Sequence, residues 1–162
     1  MKKLFALILT VALMATMSVT AFAAEIGPGA NASQGSTEVS FNVDPTYTVT
    51  IPATVELQKV EDNGPVTYEN DYTITAEAGV RLLKNEYIEV TVASDYVMQT
   101  PQGATLAYTI TKDDADLVDS IVAIFGTAKA EQTSTIHIAA NDPDYAGEYK
   151  DTVTFTVAVK PN

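Results

Sequence analysis

The chain contains no cysteine and no tryptophan, one histidine, and nine basic residues against 21 acidic ones in a length of 162. Without cysteine no disulfide framework exists, so stapled scaffolds are excluded and the core must hold the fold. A formal charge of −12 repels phosphate backbones and anionic lipid heads, which argues against nucleic acid and peripheral membrane binding. A lone histidine offers zinc no second nitrogen or sulfur ligand, and no G-x-S-x-G, P-loop or dinucleotide fingerprint occurs. His137 lies between Ile136 and Ile138, whose alternation takes the core side and sends the imidazole outward. Neither an enzyme nor a cofactor is expected.

What is present begins with a leader. Lys2 and Lys3 precede an apolar run from Leu4 to about Val19 and the small-residue exit Ala21-Phe22-Ala23. That order is a secretory signal peptide over residues 1–23. The run is short for a membrane span and lacks a charged stop-transfer flank, so no transmembrane anchor is expected in the mature chain. Cleavage after Ala23 leaves 139 residues, enough for one domain, with seven basic against 21 acidic residues and a formal −14. No sorting motif, hydrophobic tail or lipid-attachment cysteine follows the last apolar run, so any surface retention is expected to be non-covalent. Residues 24–37 are small, polar and glycine-containing, and are expected to form a flexible segment before a domain over 38–162.

From residue 38 onward the pattern has a period of two. Val39, Phe41 and Val43 alternate with polar residues, as do Tyr47, Val49 and Ile51, and Val55 and Leu57 suggest another short strand. Glu61 to Asn70 reads as a loop around Asn63-Gly64-Pro65. Further strands are expected at Tyr72–Ile74, Ile88–Val92, Tyr96–Gln99, Leu106–Ile110, Ile136–Ile138 and Val153–Val159, with threonine recurring on the outer faces. Asp113 to Phe125 fits either a helix with Leu117, Ile121 and Phe125 on one face or a loop feeding a buried strand over 120–125. The density of strands elsewhere favours the second. The expected fold is all-β: an antiparallel immunoglobulin-like sandwich of about 8–10 short strands.

Carboxylates are the abundant reactive groups. Asp113, Asp114, Asp116 and Asp119 form one cluster, and Asp142 and Asp144 bracket Pro143. Oxygen-rich loops hold Ca²⁺, which makes Asp113, Asp114, Asp116, Asp142 and Asp144 the candidate ligands, although the D-x-D-x-D-G pattern is missing. Aspartate in loops is also ordinary turn chemistry. Lys59 or Lys150 would be the lysine of an intramolecular isopeptide bond, which needs an asparagine on an adjacent strand and a buried carboxyl.

Residues 146–157, AGEYKDTVTFTV, carry the pattern A-G-x-Y-x-D-x-V-x-F-x-V. This resembles the ending of bacterial surface sandwiches: spore-coat-protein-U-like and fimbrial subunits, and the C-terminal domains of WxL proteins. Leu106–Ile110, Thr135–Ile138 and Tyr47–Pro52 fit the same layout. The chain departs from those families in having no W-x-L tryptophan, no disulfide and Pro161 at its penultimate position. The resemblance implies a secreted, non-enzymatic, surface- or fibre-associated sandwich with Gly147 and Tyr149 forming a tyrosine corner.

In an immunoglobulin-type sandwich one more strand follows the corner strand, and here the sequence stops after it, so an edge is expected to stand open. Val39, Phe41 and Val43, behind their flexible arm, are the candidate strand to fill that edge or a neighbour's. The expected partners are therefore other copies of the chain or other surface proteins. The alternative is a monomeric module binding a cell-wall glycan or host protein through Tyr68, Tyr87, Tyr96 and Tyr145.

Overall fold

Period-two alternation becomes sheet wherever a neighbouring strand is present to receive it. The computed structural model describes residues 7–9, 39–61 and 64–162. Its strands are β1 (Leu7–Leu9), β2 (Val49–Ile51), β3 (Gln58–Val60), β4 (Thr67–Ala76), β5 (Glu86–Ala93) and β6 (Val97–Gln99). Then follow β7 (Thr105–Lys112), β8 (Ala115–Asp116), β9 (Ile121–Phe125), β10 (Gln132–Asn141) and β11 (Thr154–Pro161). Every ladder is antiparallel, and no helix occurs among the described residues. The protein is all-β.

Two sheets share one core. The larger has the order β1-β2-β4-β10-β7-β6, with β3 also on β4 and β8 on β7; the smaller is β11-β5-β9. Ile74 and Ala76 of β4, Ile136 and Ile138 of β10, and Tyr108 and Ile110 of β7 form one buried cluster with Ile88, Val90 and Val92 of β5 and Val122 and Phe125 of β9. Each buried valine, isoleucine or phenylalanine of this set contributes about 1.5–3 kcal/mol on burial. Ser134, buried on β10, donates its hydroxyl to the Val122 carbonyl at 2.7 Å and so ties one sheet to the other. The ambiguous segment 113–125 resolves as a turn, the short β8, a second turn and the buried β9.

Several sequence expectations are corrected. The loop over 61–70 ends sooner, because Thr67–Asn70 belongs to β4. Asn70 occupies a position in phase with Tyr72 and Ile74, and its amide donates to the Glu56 carbonyl at 2.8 Å. The short strand expected at Val55–Leu57 lies later, as β3, while Val55 and Leu57 pack against the core as half-buried residues. No strand forms over Val39–Val43. The expected leader and the segment 24–37 lie outside the described residues apart from Leu7–Leu9, which pairs with Val49–Ile51 of β2. No helix among the described residues is long and apolar enough to cross a membrane.

Candidate functional site

The approach to the last strand is built around Gly147. The Tyr149 hydroxyl donates to the Tyr145 carbonyl at 2.8 Å, closing residues 145–149 into a corner. Gly147 serves a close approach and not a left-handed turn: a Cβ there would lie 2.7 Å from Thr100 Cγ2. Thr100 is buried, and its Oγ1 accepts the Ala104 N–H at 3.1 Å. Gln99 and Lys150 exchange backbone hydrogen bonds of 2.8 and 3.1 Å. The corner is thereby sewn to the β6–β7 turn.

Asp151 is the next anchor. Its Oδ2 accepts the Tyr108 hydroxyl at 2.6 Å and the Ser94 hydroxyl at 2.7 Å, and its Oδ1 accepts the Thr152 N–H at 2.6 Å. Those bonds, Tyr108's first and Ser94's second, hold the carboxyl below the usual aspartate range. Burial first, and then the bond to Asp151, pushes the Tyr108 hydroxyl far above its ordinary value, so it stays a donor. Ser94 Oγ also accepts the Tyr96 N–H at 2.8 Å, which holds Tyr96 at φ 58°, an uncommon conformation for a bulky residue. The cluster joins the end of β5, the middle of β7 and the entry to β11. Sequence reasoning did not single out Ser94, Tyr108 or Asp151, although Asp151 is the aspartate of the A-G-x-Y-x-D pattern.

Beyond this anchor β11 pairs with β5 from Thr154↔Ala93 to Pro161↔Glu86. Its opposite side has no strand partner among the described residues. Cover thins along it: Phe155 and Val157 are half-buried, and Val159 is 38% exposed. The Tyr72 ring meets Phe155 edge-on at 5.9 Å, and its buried hydroxyl has no hydrogen-bond partner among the described residues. Val39 and Phe41 are 91% and 89% exposed, and Val43 is also exposed. They alternate correctly but lie against no sheet among the described residues, and an isolated strand is not stable in water.

Three of the aspartates, Asp113, Asp114 and Asp119, are turn residues. Asp113 and Asp114, at φ 52° and 60°, are the two central residues joining Lys112 to its partner Ala115, the pattern of a type I′ hairpin. Asp119 and Ser120, at 51° and 59°, repeat it where Ile121 N–H bonds to the Val118 carbonyl at 2.9 Å. Asp116 is in β8, and Asp142 and Asp144 are exposed after β10. None of these joins a group of three His, Asp or Glu side chains able to hold a metal ion, and no such group occurs among the described residues.

His137 is on the outer face as expected, with Nδ1 2.8 Å from Asp71 Oδ1 and Nε2 3.1 Å from Glu69 Oε2. A base that activates a nucleophile needs one free nitrogen, and here each faces a carboxylate. Lys59 and Lys150 pair with Glu61 and Glu148 in exposed positions, which removes the buried setting an isopeptide bond requires. Of the four candidate contact tyrosines, Tyr68 and Tyr87 are half-buried and Tyr96 packs on Tyr108 with centroids 5.9 Å apart. Tyr145 alone is exposed, at 69%. It borders an open cavity of about 380 Å³ lined by Thr100, Gln102, Gly103, Ala104, Tyr145 and Ala146. Compared with known proteins, the chain matches no protein-family model, no curated protein and no solved structure.

Proposed function

We propose that this chain is an exported, non-enzymatic structural or adhesive subunit of the bacterial cell surface or of a fibre, with an immunoglobulin-like sandwich that assembles by strand addition. In this reading β11 is the strand after the tyrosine corner, and its free side is the acceptor. The donor is residues 39–43 of another copy.

One observation carries the reading: a half-covered apolar edge and an unpaired apolar-alternating segment coexist in one molecule. Phe155, Val157 and Val159 repeat every second residue on the acceptor, and Val39, Phe41 and Val43 do so on the donor. Strand addition satisfies the acceptor's unpaired backbone and buries both apolar rows together. Left open, such an edge is a site of uncontrolled association.

Phe41→Asp is the discriminating variant. The side chain is exposed in the monomer, so the melting temperature should stay unchanged while concentration-dependent association, followed by size-exclusion chromatography and electron microscopy, is lost. A peptide of residues 38–43 added in trans should block assembly of the parent protein. A parent protein that is monomeric at every concentration, or a Phe41→Asp variant that assembles like the parent, refutes the proposal.

A further inference from the structure

We propose that the cavity between the Thr100–Ala104 turn and Tyr145–Ala146 binds a neutral saccharide. With a volume of about 380 Å³ it lies near the lower end of small-molecule sites, and it is an open depression that would contact one face of a ligand and leave the other in solvent. The inference is independent of strand addition, since neither β11 nor residues 39–43 line the cavity.

Both walls are held before any ligand arrives. On one side Thr100 N–H bonds to the Ala104 carbonyl at 2.9 Å and Gly103 N–H to the Thr100 carbonyl at 3.0 Å. On the other, Tyr149 pins the backbone of Tyr145, and the Gln99–Lys150 exchange fixes the distance between the walls. A site assembled in advance loses little ordering entropy on binding.

The lining then selects the chemistry. Tyr145 offers a rigid aromatic face with a polar tip, suited to the apolar C–H face of a pyranose ring, at low conformational cost. Gln102 is exposed, and its carboxamide both donates and accepts, as ring hydroxyls require. No lining residue is charged. In a chain of net charge −12 the surrounding field disfavours an anionic sugar, while the uncharged lining offers a cation no direct counter-ion. An uncharged polyol ring meets both conditions.

The test is an NMR titration of the ¹⁵N-labelled exported protein with the neutral disaccharide N,N′-diacetylchitobiose (chitobiose), run beside glucuronic acid and choline. Chitobiose should move the amide signals of Gln102, Gly103, Ala104, Tyr145 and Ala146 at millimolar concentration. Tyr145→Ala should weaken binding about tenfold or more with an unchanged melting temperature, and Tyr145→Phe should retain it. Phe41→Asp should bind as the parent does, so that loss of assembly and loss of binding separate. No shift with chitobiose, shifts confined to other residues, equal binding by Tyr145→Ala, or a stronger response to glucuronic acid or choline each overturns the assignment.

Discussion

Replacing Tyr108 with phenylalanine removes one oxygen from the cluster that anchors the start of β11. Tyr108 is only 6% exposed, so its ring remains packed while its 2.6 Å bond to Asp151 disappears. A hydrogen bond to a charged group contributes about 1.5–3 kcal/mol. Asp151 is itself exposed, and solvent screening places the expected loss near the lower end, about 1.5 kcal/mol. For a domain of this size that is a fall in melting temperature of roughly 3–8 °C. The effect depends on pH in a definite direction. Asp151 titrates below its ordinary 3.8 when folded, so its bonds contribute fully above that value and fade as pH falls through the lowered one. The gap between parent and Tyr108→Phe should therefore be widest at neutral pH and narrow in acid, where a protonated carboxyl leaves a neutral, solvent-exposed hydrogen bond of about 0.5 kcal/mol. Urea melts from pH 7 to the lowest pH at which the parent stays folded measure the gap. A double-mutant cycle with Asp151→Ala should give a coupling of about 1 kcal/mol. A gap that is constant with pH, or two substitutions that simply add, would refute the reasoning.

Gly147→Ala should lower stability by about 1–3 kcal/mol, because its Cβ meets Thr100 Cγ2 in a buried, hydrogen-bonded position. Thr100→Ser removes the obstructing methyl and should restore much of the loss in the double variant; a melt showing no recovery places the strain elsewhere. Phe125→Ala should cost about 3–5 kcal/mol and Phe155→Ala clearly less, because Phe125 is sealed between the sheets and Phe155 is on the open strand. Equal losses would mean that the free side of β11 is covered in solution.

Runs of consecutive apolar inner residues were legible from sequence. β5 and β10 show uninterrupted alternation through Ile88, Val90 and Val92 and through Ile136 and Ile138, and the structure buries all five. Legibility failed where a polar residue takes an inner position and finds a partner there. Asn70 does so at the beginning of β4, and a period read from hydropathy cannot register a side chain satisfied by the carbonyl of Glu56, 14 residues earlier. It failed in the opposite sense over residues 39–43, where the alternation is sound but no neighbouring strand among the described residues receives it. The aspartates were ambiguous because Ca²⁺ loops and αL turns draw on the same residue type, and only backbone angles separate them. For the site, the glycine and tyrosine of the corner were visible, whereas the convergence of Ser94, Tyr108 and Asp151 depends on three segments far apart in the chain.

The register between β11 and β5 also has a mechanical consequence. The strands match from Thr154 to Pro161, and the Asn162 N–H adds a bond of 2.7 Å to the Asn85 carbonyl. These bonds lie across the strand axis. A lengthwise pull on β11 therefore loads the whole ladder in shear, and the strand yields only when many bonds fail together. A sideways pull at either end opens them one after another, like a zip. The strand can thus carry tension along its length and still be peeled from its end by a competing strand.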